Sequence, residues 1–214
     1  GEEEGEQSEG GLLAGAALVH LDSRHTGAAA ALAARARRRG VPVTVDAEKD
    51  RPGFRELLPL ADVLLCNAGF PTLWTGEERL SGMAKILADN ENIKTIVSTN
   101  GSEGATLLCK KSEVEGFFLQ EDDRSPLKVA REDLGGGLAL LRCPAWPVDP
   151  ADVVDTTGAG DSFIGGFIFG LLSKMSASQA LNLASYIAAQ KLKQPGARQG
   201  LPRVQSIPDD LLTV

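Results

Sequence analysis

Asp152 to Leu172, DVVDTTGAGDSFIGGFIFGLL, is the stretch whose residue types and spacing point most directly to chemistry. A β-branched lead-in runs into Thr156, Thr157, Gly158, Ala159 and Gly160, and an apolar helix is expected to open at about Asp161. Small residues let the backbone turn tightly, so that successive N–H groups and the positive end of the helix converge on one point. Such a point binds an anion. Asp161 then has two readings of about equal weight. As an N-terminal cap it stabilises the helix by about 1 kcal/mol. As a carboxylate beside an anion hole it takes a proton from a hydroxyl while that oxygen attacks a phosphoryl group. The rival nucleotide motifs are missing, since there is no GxxxxGK[ST] and GAGDSF lacks the third small residue of the dinucleotide fingerprint.

The elements that must hold this turn follow from apolar periodicity. Ala17 to Leu21, Val41 to Val45, Asp62 to Cys66, Ile93 to Ser98, Ala105 to Cys109 and Leu138 to Arg142 read as strands, and Gly27 to Arg39 and Glu77 to Asn90 as helices. Strands alternating with helices in this way form βαβ units around a largely parallel sheet. The cations Arg35, Arg37, Arg38 and Arg39 precede Gly40 and read as a helix C-terminus whose macrodipole they offset. Gly135, Gly136 and Gly137 mark a loop, and no internal repeat is present.

Composition narrows the function classes. The 214 residues carry 22 Lys and Arg against 29 Asp and Glu, a net charge of −7, which disfavours a surface made for nucleic-acid phosphates. Glu2, Glu3, Glu4, Glu6 and Glu9 lie in the first eleven residues, an acidic segment with too little apolar surface to order itself, so residues 12–214 are the expected folded domain and are nearly neutral. Cys66, Cys109 and Cys143 fit neither a disulfide framework nor a CxxC metal site. A reducing intracellular setting, cytoplasm or organelle stroma, is expected. No apolar run reaches the ~18 residues of a membrane span, so no membrane partner is expected. His20, between Val19 and Leu21, reads as a packed strand residue, His25 as a loop residue, and Trp74 and Trp146 as packing anchors. Asp46, Glu48 and Lys49 end a strand on the side where open α/β sheets bind ligands; a phosphate or metal role and a solvated turn weigh about equally there.

DTTGAGD from Asp155 to Asp161, followed by Ser162, Phe163 and a glycine-bearing helix, resembles the C-terminal signature of the ribokinase, or PfkB, family of carbohydrate kinases. TNGSEG from Thr99 to Gly104 resembles that family's nucleotide loop, and GARQGLP from Gly196 to Pro202 the loop passing near the adenine. VHLDSRH from Val19 to His25 and VTVDAEKDR from Val43 to Arg51 are similar to the ketohexokinase-like branch. The resemblance implies a three-layer α/β/α sandwich with a mainly parallel central sheet. It implies an ATP-dependent kinase acting on a sugar hydroxyl, a ketose such as fructose first. Asp161 would be the general base, the amides of Gly158, Ala159 and Gly160 the anion hole, and Thr99, Asn100, Gly101, Gly104 and Gly196 the nucleotide contacts. Mg²⁺ would arrive with ATP, and Asp155 and Thr157 match positions that bind a monovalent cation such as K⁺ in many members.

Two departures stand out. The family's Asn-x-x-Glu motif has its counterpart in Asn67, Ala68, Gly69 and Phe70, with an apolar residue at the glutamate position, as ketohexokinase-like members also lack it. The family's N-terminal strands, sugar contacts and lid have no counterpart, so an incomplete N-terminal side is expected, together with a homodimer formed through that lid. A catalytically inactive, fructokinase-like interaction subunit and a kinase for a nucleoside or other non-sugar alcohol are the competing readings.

Overall fold

Short runs of Val, Ile, Leu and Cys bounded by glycine, proline or charged residues become the strands of one seven-stranded sheet in the computed structural model, which describes residues 11–120 and 125–212. The acidic segment thus lies, but for Gly11, outside the described residues. In chain order the elements are β1 (Val19–Asp22), α1 (Thr26–Arg38), β2 (Val43–Ala47), α2 (Phe54–Leu57), β3 (Val63–Asn67), α3 (Phe70–Thr75), α4 (Arg79–Asp89), β4 (Thr95–Thr99), β5 (Ala105–Lys110), β6 (Ala130–Gly135), β7 (Leu138–Cys143), α5 (Ala159–Leu172) and α6 (Ala177–Lys191). The sheet order is β1-β2-β3-β4-β5-β7-β6. Neighbours from β1 to β4 pair parallel, and β4–β5, β5–β7 and β6–β7 pair antiparallel. β1 to β4 and β7 therefore share one direction, and the expected mainly parallel sheet is present with two reversed strands.

Side-chain alternation sorts the two faces. Val43, Val45, Leu64, Cys66, Ile96, Leu108 and Leu140 pack under α1 to α4, whereas Leu65, Val97, Leu107, Cys109, Leu141 and Cys143 pack under α5 and α6. That makes three layers. Burial of the three thiols pushes Cys66 and Cys143 up to about 12 and Cys109 to about 11, which keeps them protonated and inert. One register row runs from β1 to β7, Asp22–Asp46–Leu65–Val97–Leu107–Leu141, and its change from acid to apolar marks where the cover of α5 and α6 ends.

Several expectations shift in detail. The second strand starts at Val43 rather than Val41, because Pro42 has no N–H to give and its carbonyl instead accepts the Val19 amide at 2.9 Å. Arg37 does more than offset a dipole: it reaches Asn92 Oδ1 at 2.7 Å and Asp62 at 3.5 Å, tying α1 to the loops before β3 and β4. Trp74 stacks on Phe70 and meets Phe54 edge-on at 5.5 Å, an anchor as expected. α6 and the exposed edge strand β6 were not foreseen; α6 announces itself by a capping box in which Ser176 Oγ accepts the Gln179 amide and Gln179 Oε1 accepts the Ser176 amide. Among the described residues no helix is long and apolar enough to cross a membrane.

Candidate active site

The turn from Asp155 to Gly160 opens α5 at the end of the sheet where β2, β3 and β4 finish. Gly158 is its left-handed residue, with φ of 78°, and a Cβ there would stand 3.0 Å from the Ala197 methyl. The close approach brings the 196–202 loop onto the turn. Asp155 fastens the two: its Oδ1 accepts the Thr157 amide at 2.9 Å and its Oδ2 the Gly196 amide at 2.7 Å. These bonds, that from the Thr157 backbone foremost, pull the Asp155 carboxyl down to about 2. Behind the turn, Gly166 and Gly170 let α6 come close, since a Cβ on them would lie 2.9 Å from Ala184 Cα and 2.6 Å from Ala180 Cβ respectively.

On one side of the turn lies a mostly apolar cavity of about 590 Å³. Thr99, Gly101 and Gly104 wall it together with Trp146, Pro147, Thr156, Ala159, Gly160 and Phe163. Gly104, with φ of 84°, passes so close to the chain after β7 that a Cβ would sit 2.1 Å from the Cys143 carbonyl oxygen. The Asn100 amide donates to the Gly104 carbonyl at 2.8 Å and closes the loop, while Trp146 meets Tyr186 edge-on at 5.0 Å. Of the expected nucleotide contacts, Asn100 and Gly196 do not reach this wall; they shape its loops.

On the other side lies a polar cavity of about 440 Å³ lined by His20, Asp22, Ser23, Arg24, His25, Asp46, Glu48, Arg51 and Asp161. His20 is a correction: it is exposed on the face that α5 and α6 leave bare, its Nδ1 lies 2.9 Å from Thr44 Oγ1, and desolvation lowers its pKa. Burial, with Glu48, Asp161 and Asp22 close by, raises Asp46 to about 7. Arg24 pairs with Asp22 at 3.2 Å. Arg51 Nε is buried with no hydrogen-bond partner among the described residues, a donor the sequence pattern did not single out.

The two cavities meet. A gap of about 60 Å³ is bounded by Asp46, Glu48 and Asp161, which also line the polar cavity, and by Thr99, Gly160 and Phe163, which also line the apolar one. Asn67 borders the gap too, its Oδ1 accepting the amides of Gly69 and Phe70 at 3.0 Å and its Nδ2 donating to the Glu48 carbonyl. Phe70 is wholly buried in the core, so the position of the family glutamate does not face the gap, while Glu48 lines it. Asp46 and Glu48 supply the oxygen donors that a magnesium ion travelling on phosphates prefers. Among the described residues no three acids or histidines form a metal cage of their own. Asp155 and Thr157, the positions matched to a monovalent cation, lie together in this turn. Both Asp155 carboxylate oxygens are engaged by amides and its carbonyl accepts Lys191 Nζ at 2.7 Å.

Residues 142–204 match the pfkB family carbohydrate kinase profile. An uncharacterized sugar kinase of Archaeoglobus fulgidus is 47% identical over 114 residues, covering 53% of this chain and 38% of that protein. A ribokinase of Haemophilus influenzae is 26% identical over 176 residues, covering 79% of this chain and 47% of the relative. The chain therefore spans less than half the length of these curated relatives. The structure of Arabidopsis thaliana ribokinase complexed with ribose and ATP superposes with a TM-score of 0.67 at 22% identity, over 92% of this chain and 56% of that one, a likeness of fold.

Proposed function

We propose that the chain belongs to an ATP-dependent phosphotransferase of the ribokinase/PfkB family that passes the γ-phosphoryl group to a carbohydrate hydroxyl, with ketoses the first acceptors to try. The carrying observation is the placement of Gly160 and Asp161 in the narrow gap between an apolar and a polar cavity. The adenine and ribose of ATP lie in the apolar cavity against Trp146 and the 99–104 loop. Their phosphates extend toward the amides of Gly158, Ala159 and Gly160, where the α5 N-terminus favours negative charge. The acceptor occupies the polar cavity, and Asp161 takes its proton as the hydroxyl oxygen attacks in line. Asp46 and Glu48 would be the protein oxygen donors for a Mg²⁺ ion arriving with ATP, which would supply neutralising charge to the phosphates. Polar groups such as Arg51 and His20 orient the acceptor.

The test uses the full chain with ATP and Mg²⁺ and a panel of ketoses, aldoses and nucleosides, with ADP as the readout. ADP is expected only in the presence of an acceptor, and Asp161→Asn is expected to abolish it while nucleotide affinity stays. Undiminished turnover in Asp161→Asn overturns the assignment of the base. Nucleotide binding without transfer to any acceptor turns the reading to an interaction subunit.

A further inference from the structure

Among the described residues Lys191 is the only charged side chain that is fully buried. It stands at the last position of α6, and its Nζ donates to the Asp155 carbonyl at 2.7 Å and to the Gln194 carbonyl at 3.2 Å. It enters no ion pair among the described residues; the acid that feels its charge is Asp155, whose carboxylate it helps keep ionised. Removing an ammonium from water is costly unless its donors find acceptors, and here they find main-chain carbonyls. The chain is folded tightly around it. A Cβ on Gly200 would lie 2.5 Å from the Lys191 carbonyl oxygen, and the amides of Val154 and Asp155 both donate to Leu192 O. The ammonium thus joins the turn that begins at Asp155, three residues before Gly158, to the loop that runs from Gln194 to Gly200. It brings a positive charge to two carbonyl oxygens at this turn, as a bound monovalent cation would.

We propose that Lys191 is a tethered monovalent cation: its ammonium holds the phosphate-facing turn in place, and the site works without exchangeable K⁺ or Na⁺. Lys191 acts through the backbone of Asp155 and Gln194 and is a positioning residue. The nucleotide part of its test rests on the kinase reading above; the part without nucleotide does not.

Hydrogen exchange of the amides in 155–161 and 194–200 is followed on the full chain, first in a tetramethylammonium salt and then with potassium or ammonium added. The wild type is expected to show the same protection in all three. Lys191→Met is expected to exchange at least about ten-fold faster, and ammonium or potassium, but not tetramethylammonium, to restore part of the protection. ADP affinity measured by calorimetry is expected to follow the same pattern, with a loss of about ten-fold in the variant and partial rescue. A wild type whose protection rises about ten-fold on adding potassium overturns the proposal, as does a variant indistinguishable from the wild type. A variant that weakens and is rescued by no cation leaves Lys191 a merely structural residue and also overturns it. Should Lys191→Met fail to fold, the salt dependence of the wild type decides alone. If ADP binds in no salt, the kinase reading fails while the exchange measurements still decide for or against Lys191.

Discussion

The cavity beside Trp146 is walled by glycines, prolines, apolar side chains and a few hydroxyls, with no charged group, whereas the cavity beside His20 sets four carboxylates, two arginines and two histidines against Leu21, Ala28, Ala29 and Leu32, although both open onto the same helix N-terminus. The first is shaped by main chain. Its walls come together because Gly104 passes within contact of Cys143 and Pro144, a distance that only a missing side chain allows. The second is shaped by charge and by the edge of a layer: α5 and α6 cover the sheet from β3 to β7, and His20, Asp22 and Asp46 of β1 and β2 line the cavity beyond it. A backbone-built cavity suits a ligand common to many enzymes, and a side-chain-built cavity suits the ligand that tells them apart.

Substitutions can break this contrast one side at a time. The largest effect is expected at the junction, where Asp161→Asn should lower phosphoryl transfer by roughly 10²- to 10⁴-fold and leave the affinity of the apolar cavity for nucleotide unchanged. Parallel losses of rate and nucleotide affinity would show that the two cavities are not separable. Next comes Gly104→Ala, which adds a Cβ 2.1 Å from a carbonyl oxygen at a φ of 84°. Strain and overpacking together should cost about 3 kcal/mol in denaturant unfolding, and a cost below about 1 kcal/mol would mean that the crossing is slack. Trp146→Ala, which removes an aromatic wall and its edge contact with Tyr186, is expected to weaken nucleotide binding about ten-fold and to leave the KM for the acceptor alone. A shift in acceptor KM instead would place the acceptor on the wrong side.

The remaining test belongs to the polar cavity. Asp46 is raised to about 7, chiefly by burial, so the folded protein binds this proton more tightly than the unfolded chain does. Its contribution to stability is then greatest at low pH and is lost as pH rises from about 4 to about 7. Asp46→Asn should therefore match the wild type in Tm near pH 4 and exceed it above pH 7. Parallel Tm curves across that range would show that Asp46 titrates normally.

Much of the apolar side was legible in advance because glycine and proline speak locally: TNGSEG and DTTGAGD name a tight turn wherever they occur, and Gly101, Gly104 and Gly160 do line that cavity. The polar side was harder. His20 reads as core from its neighbours Val19 and Leu21, yet it is exposed, because the layer of α5 and α6 does not extend over β1. Arg51 closes the VTVDAEKDR segment but no role attaches to it there, and its orphaned Nε emerges only once the loop after β2 is folded against α1. Asp155 matches a cation-binding position, but nothing in the sequence shows that its oxygens also accept from the amides of Thr157 and Gly196 and from the ammonium of Lys191, 36 residues downstream.

By itself the sequence determined the strand and helix alternation, the anion-binding turn and the presence of Asp161 at its end, because those depend on periodicity and on residues a few positions apart. Only the tertiary structure decided which charges meet. Lys191 carries nothing in its local sequence to set it apart from Lys193, and its role follows from a buried geometry in which the carbonyl of Asp155, 36 residues upstream, joins that of Gln194, three residues on, as partner to its proton-bearing nitrogen.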